Sequence, residues 1–259
     1  MIMHLNEYQI MYEYEDHYWW YKALHELIEY YVMKERKEKN KLLNILDAGC
    51  GTGKLLTILE KYGNTKGIDY SENAIMYCKK RGLKNIEIQD LCNCQFSESM
   101  YDIITHIDIL CCVKIENEIK IIENLYNALK PDGILILNLP AFQCLRRRHD
   151  IAVGSYRRYR RDSFIPKLLD VGFDVEIKSY RLPILFIPIL IKKYVELLQK
   201  KKEIKSDFIP LPFFVDWFLL QFIRIENQMI KRINIPVGTS LFIVVRKRNV
   251  THVQNEQDI

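Results

Sequence analysis

A doubly wound α/β sheet is the fold class this sequence predicts, on three observations. Short apolar runs that read as buried strands alternate with segments whose apolar residues recur at helical spacing. A glycine-rich bend, Gly49-Cys50-Gly51-Thr52-Gly53, follows the first of those strands. The 259 residues suit one large domain with a substantial core. Strands that alternate with helices pair in parallel through right-handed crossovers.

The elements follow in order. Residues 1–40 form an N-terminal helical and aromatic segment, in which Leu24, Leu27, Ile28 and Tyr31 share one helical face over Ala23–Arg36. Trp19, Trp20 and Tyr21 precede that helix, and two readings stay open for them: packing against the sheet, or a lid over a bound ligand. The main domain, residues 41–248, opens with a strand over Leu42–Leu46, the glycine bend, and a helix from Lys54 that Gly63 stops. Thr65–Ile68 repeats the plan, with Ser71 capping a helix that runs to Lys80 and Gly82 past its end. Further strands are expected at Ile86–Ile88, Tyr101–Ile107 and Ile134–Leu139. Between the last two, Ile115, Ile119, Ile122, Leu125 and Leu129 make a helical face, and Pro131–Gly133 a turn. A helix near Asp162, a strand over Asp174–Tyr180, an apolar helical insertion at about 183–235 and a strand over Ser240–Arg246 follow. Residues 249–259 read as a flexible polar tail.

Bulk properties narrow the function classes. A net charge of +5 is mild for a nucleic-acid binder of this size, so nucleic acid is disfavoured as a partner. The seven cysteines show no repeated CxxC spacing and no downstream histidine pair, which argues against a disulfide framework and a zinc site; no metal is expected. The opening stretch MIMHLNEYQIMYEYEDHYWW is acidic and aromatic, unlike a secretory signal, and the expected location is cytoplasmic. The apolar run Leu182–Ile191 holds two prolines and has about half the length that spans a bilayer.

In open parallel sheets, ligands bind outside the carboxyl ends of the strands. The bend at Gly49–Gly53 sits at such an end and reads GxGxG, one residue short of the dinucleotide fingerprint GxGxxG. Gly53-Lys54 is followed by leucine rather than Ser or Thr, so a phosphate loop is disfavoured too. Asp69, eighteen positions after Gly51, ends the second strand, where a carboxylate accepts both ribose hydroxyls. Asp90 follows the third strand and is placed to accept from an adenine amino group, with Leu91 against the ring. The predicted ligand is an adenosine without a pyrophosphate.

LDAGCGTGKL, GIDYSENAI, IQDL, YDIITHIDIL and LKPDGILILNLPA, in this order, resemble the class I S-adenosylmethionine-dependent methyltransferases over roughly Leu42–Val175. The resemblance implies a seven-stranded Rossmann-like sheet whose last strand is antiparallel, with the helical insertion preceding that strand. It implies S-adenosyl-L-methionine as cofactor and S-adenosyl-L-homocysteine as product. Gly49 and Gly51 would line the methionine part, Asp69 the ribose, and Asp90 with Leu91 the adenine. Asp47 would orient the loop or the amino group, and Cys50, Tyr70 and Ile107 would complete the cofactor wall.

A looser resemblance is to a bacterial subgroup of these enzymes with an HWWF-like start and an HD…GHxRRY-like motif. Here the motifs read His17-Tyr18-Trp19-Trp20-Tyr21, His149-Asp150 and Gly154-Ser155-Tyr156-Arg157-Arg158-Tyr159. Ser155 stands in the place of the subgroup's histidine, and Cys111-Cys112 where Glu-His is usual. Trp20, Tyr156, Arg157, Arg158 and Tyr159 are the expected substrate-binding residues, and for His149, Arg157, Arg158 and Tyr159 a second reading stays open, that of fixing the loop through salt bridges to carboxylates such as Asp150. His149, with Asp150 beside it, is the first candidate base for a hydroxyl acceptor and His106 the second.

The expected activity is methyl transfer to an oxygen or nitrogen of a small-molecule acceptor: a metabolite, a sugar or a lipid-linked intermediate. Two rivals stand beside it. One is a nicotinamide-type oxidoreductase, disfavoured by the glycine spacing. The other is a methyltransferase-fold binding module, or an RNA-directed methyltransferase using the arginine-rich segment 146–161. In the insertion, Leu211, Phe214, Val215, Phe218, Leu219 and Phe222 form an apolar helical face flanked by Trp217 and Leu220. Three roles stay open for it: a cap on the substrate side, a homodimer contact, or peripheral membrane contact with Lys200–Lys202 drawing acidic lipid.

Overall fold

A computed structural model of the chain describes residues 5–198 and 210–248. Lys200–Lys202 and the tail 249–259, on which expectations fell, lie outside the described residues. Seven strands form one sheet: β1 (Leu43–Ala48), β2 (Gly63–Asp69), β3 (Ile86–Ile88), β4 (Tyr101–Ile107), β5 (Leu129–Pro140), β6 (Phe173–Arg181) and β7 (Ser240–Lys247). Their order is β3-β2-β1-β4-β5-β7-β6. Pairs from β3 through β5 are parallel, while β7 runs antiparallel to both β5 and β6. The predicted antiparallel last strand is therefore present, inserted between β5 and β6.

Strand residues alternate between two helical layers because successive side chains point to opposite faces. Ile45, Ile103, Ile136 and Val244 pack under α2 (Trp19–Lys39), α3 (Lys54–Leu59) and α9 (Phe213–Ile230). Leu46, Ile104, Leu135 and Val245 pack against α5 (Glu118–Ala128) and α7 (Arg161–Val171). Helix α4 (Glu72–Lys80) packs beside β2 and β3 through Ile75 and Cys78, and Ser71 accepts from the amide of Ala74 at its start, as predicted. The remaining helices, α1 (Leu5–Tyr14), α6 (Arg148–Ala152) and α8 (Phe186–Leu198), lie around the strand ends.

Three elements differ from expectation. Helix α2 begins at Trp19 rather than Ala23, because Trp19 and Ala23 pack together against Leu182, Leu220 and Ile223. Strand β5 starts at Leu129 and absorbs the expected turn, which survives as a register shift opposite β4 and a positive φ of 59° at Asp132. Helix α9 buries Leu220, Ile223 and Ile230, and turns Phe214, Phe218 and Phe222 outward. Polar contacts set that rotation. Asn227 donates to the carbonyl of Ala23 at 2.7 Å, Glu226 accepts from the amide of Leu182 at 2.8 Å, and Asp216 accepts from the amide of Trp19 at 3.0 Å. Among the described residues, no helix is long and apolar enough to cross a membrane.

Candidate active site

The carboxyl ends of β1, β2 and β4 open onto a cavity of about 900 Å³, within the range that takes a cofactor together with a small acceptor. The glycine bend hooks over the end of β2, with the amides of Gly49 and Cys50 both donating to the carbonyl of Ile68, at 2.8 and 2.9 Å. Gly49 has a φ of +93°, and a Cβ there would fall 2.2 Å from the side chain of Ile109. Only a bare backbone fits.

Asp69 ties this bend to the next turn. One of its carboxylate oxygens accepts from the amide of Gly51 and the other from the amide of Ser71, each at 2.9 Å. Each oxygen keeps a second lone pair, which leaves capacity for ribose hydroxyls. Burial raises the pKa of Asp69, and the amides of Ser71 and Gly51 oppose the shift. Asp47 accepts from Thr105 at 2.7 Å, and burial pushes its pKa up to about 7. Of the predicted cofactor residues, Asp47, Gly49, Cys50, Gly51, Asp69, Tyr70, Asp90, Leu91 and Ile107 all line this one cavity. Asp90 also holds its own turn, accepting from the amide of Cys92 at 2.9 Å and from the Asn93 side chain at 2.7 Å.

Helix α1 covers the cofactor end. Tyr8, Met11 and Glu15 face the cavity, and Thr52 of the bend donates to the buried Glu15. Arg81 binds Glu15 at 2.8 Å, the carbonyl of Thr52 at 3.0 Å and Asp16 at 2.9 Å, so one guanidinium fastens this cover to the bend. Packing and cavity lining coincide in the N-terminal aromatics: Trp19, Trp20 and Tyr21 all line the cavity, while Trp19 is also buried in the cluster around Leu220 and Trp20 packs against that cluster.

The arginine-rich segment divides in a way its sequence did not reveal. Tyr156 and Arg158 line the cavity, as does His149 on α6. Arg157 and Tyr159 do not. Both turn to Glu118 on the far side of the loop, Arg157 at 2.9 Å and Tyr159 at 2.8 Å, where Lys167 joins them at 2.5 Å. Burial would raise the pKa of Glu118, but these partners hold it below the ordinary value. Of the two readings open for Arg157 and Tyr159, the structure shows loop fixing, with Glu118 as the carboxylate, and places neither residue on the cavity wall. Arg158 meets Asp150 through two hydrogen bonds, at 2.7 and 3.1 Å. Asp150 also accepts from the amide of Arg147 at 2.9 Å, so its carboxylate serves Arg158 and the start of α6.

The candidate bases separate as well. His106 is fully buried and lies outside the cavity wall. Its Nδ1 sits 2.6 Å from the carbonyl of Ala48; a carbonyl only accepts, so Nδ1 carries the proton. It holds β4 against β1 and does not reach an acceptor. His149 does face the cavity, and burial together with Arg147 lowers its pKa to about 4, keeping the imidazole neutral at pH 7.

Sequence reasoning missed Asp108. It follows β4, lines the cavity and has a φ of +56°, a conformation that Asp tolerates better than most residues. The Asn138 side chain donates to both of its oxygens at 3.1 Å, and its amide donates to the carbonyl of Asn138 at 2.8 Å. Burial pushes its pKa up to about 6, against the pull of Asn138, Arg181 and Arg158. The signal was available: an acid directly after a strand that neighbours the glycine bend, in YDIITHIDIL.

Residues 39–154 match the model of a protein family described as Methyltransferase domain. A ubiquinone biosynthesis O-methyltransferase of Rickettsia felis is 31% identical over 138 residues, which are 47% of this chain and 56% of that protein. A phosphoethanolamine N-methyltransferase of Plasmodium falciparum is 33% identical over 106 residues, 39% of this chain and 40% of that protein. The chain thus spans about half the length of these curated relatives. In fold it is similar to an S-adenosylmethionine-dependent methyltransferase from Archaeoglobus fulgidus, with a TM-score of 0.56 and 17% identity over 86% of this chain and 94% of that one. Residues 39–154 thus resemble a methyltransferase domain, and the seven-stranded sheet is similar in fold to that of the S-adenosylmethionine-dependent Archaeoglobus fulgidus enzyme. The cavity's own chemistry fits this cofactor, since acids whose burial disfavours their charge surround the bend and a sulfonium with an ammonium group relieves that cost.

Proposed function

We propose that the protein transfers a methyl group from S-adenosylmethionine to an oxygen or nitrogen atom of a small-molecule acceptor, with Asp108 receiving the acceptor's proton. Bound in the cavity, the cofactor supplies an electrophilic methyl on a positively charged sulfur. Such a methyl is already activated, so the chain's task is to align the acceptor and exclude water. Asp69 accepts the ribose hydroxyls, and the bare backbone at Gly49 and Gly51 admits the methionine part. Trp20, Tyr156, His149 and Arg158 wall the acceptor side. Arg158 is itself held by Asp150.

The observation that carries the reading is the convergence of Asp47, Asp69 and Asp108 on one cavity from three adjacent strands. Asp108 is the best placed to act as a base. It opens to the cavity, Asn138 fixes its orientation, and a pKa near 6 leaves it ionised at pH 7 yet basic enough to accept a proton. A small acceptor is consistent with the relatives, which are named for O-methylation in ubiquinone biosynthesis and N-methylation of phosphoethanolamine.

The test is isotope-labelled methyl transfer into an extract of the source cells, with the product identified by mass, beside calorimetry of the cofactor alone. Label in a low-mass product is the expected result. No measurable cofactor binding would remove the enzyme reading and leave a binding module of the same fold.

A further inference from the structure

Among the described residues, helices α8 and α9 both present large apolar side chains that nothing covers. Among its described residues, α8 buries none. Ile187, Ile191 and Tyr194 recur at helical spacing and are each about 60% exposed. On α9, Phe214, Trp217 and Phe218 are 71%, 53% and 65% exposed. The turn that leads into α8 shares one cluster with α9, where Leu185 packs with Leu211, Leu219 and Leu220. Monomeric proteins rarely leave contiguous apolar area of this kind uncovered, so it marks an interaction site.

We infer that this surface docks on a lipid bilayer bearing anionic headgroups. Charge separates this occupant from a second copy of the chain. All three acids of the two helices are engaged toward the protein: Glu196 with Arg147, Asp216 with the amide of Trp19, and Glu226 with the amide of Leu182. Of the cations on or next to the two helices, Lys193 is half-buried and donates to the carbonyl of Cys144, Lys231 is half-buried and donates to Gln228, and Arg232 is exposed. An apolar face with aromatic residues and a basic border has the chemistry of a helix lying in the headgroup layer. Neither helix is able to cross the bilayer, which fits contact from one side.

The cavity extends the argument to the acceptor. Leu185 and Ile189 line it from the same stretch of chain whose other side chains, Ile187 and Ile191, face outward. A single helical layer separates the docking surface from the acceptor end. The acceptor is then an amphiphile with an apolar tail, drawn from the bilayer past α8. This part rests on the methyl-transfer reading; the docking does not.

The experiment is co-sedimentation of the full chain with vesicles of phosphatidylcholine, alone or mixed with phosphatidylglycerol, with light scattering of the free protein. The expected result is sedimentation with the mixed vesicles, weakened by salt and reduced about tenfold or more by joint Phe214→Ser, Trp217→Ser and Phe218→Ser replacement. These side chains lie outside the cavity wall, so cofactor affinity in calorimetry should be unchanged. A protein that stays in the supernatant overturns the inference. If light scattering then shows a dimer that the triple variant splits, the surface is a contact between copies. For the acceptor, label in the lipid fraction of an extract supports an amphiphile. Label confined to water-soluble product removes the amphiphile and leaves methyl transfer standing.

Discussion

The two ends of the cavity are built by different means. At the cofactor end, contacts come mainly from backbone and from acids one or two residues away from a strand end: Gly51 and Ser71 donate to Asp69, and Gly49 and Cys50 donate to Ile68. At the acceptor end, side chains from distant segments hold one another. Arg157, Tyr159 and Lys167 converge on Glu118, and Arg158 on Asp150. A backbone site tolerates little change and recognises one shared ligand. A site made of mutually braced side chains changes its shape when one brace is altered, which suits an acceptor that differs from enzyme to enzyme.

Four measurements break or sharpen this division. The largest effect is expected from Asp108→Asn, which removes the proton acceptor while keeping the side chain's size. Turnover should fall by about 10²–10⁴-fold, with cofactor affinity little changed in calorimetry. The acid limb of the pH profile near 6 should vanish with it, because the ionised carboxylate is the active form. If cofactor affinity fell as far as turnover, the two ends would not be separable.

Asp69→Ala should act in the opposite sense, weakening cofactor affinity on the order of 100-fold through the loss of charged hydrogen bonds. An unchanged dissociation constant would mean the ribose lies elsewhere.

Glu118→Ala strands Arg157 and Lys167, and should cost about 3 kcal/mol of stability, seen as a fall of roughly 10 °C in the melting temperature. In the folded fraction the cofactor should still bind with near-normal affinity. A thermal midpoint equal to the parent's would show that the brace contributes nothing.

The smallest effect is on pH. Burial raises the pKa of Asp47 to about 7, so it is largely protonated at pH 6 and a cationic ligand displaces that proton. Cofactor affinity should rise by a few-fold between pH 6 and pH 8 and release protons into the buffer. Affinity that falls over this range would place the positive charge away from Asp47.

The same division explains how much the sequence disclosed. The sheet, its antiparallel last strand and the acids around the bend were legible, because short runs and fixed spacings encode them. Of the proposed substrate residues, Tyr156 and Arg158 face the cavity while their neighbours Arg157 and Tyr159 do not. Adjacent residues in an extended loop point to opposite sides, and only the position of Glu118 decides which side faces the cavity. His106 illustrates a related limit: its place at a strand end was readable, its bond to Ala48 was not. The outward turn of Phe214 and Phe218 depends on polar contacts to α2 across nearly the whole chain, which apolar periodicity does not carry.

The place of the antiparallel last strand has a consequence for biosynthesis. Strand β7 lies between β5 and β6, yet a ribosome makes it after every other strand. Until Ser240–Lys247 emerges, β5 presents a bare edge and β6 has no neighbour in the sheet. The nascent polypeptide therefore carries an open template for intermolecular pairing from the emergence of Pro140 to that of Lys247. A nonsense mutation between Pro140 and Ser240 should yield insoluble product, even though the whole glycine bend would already have been translated.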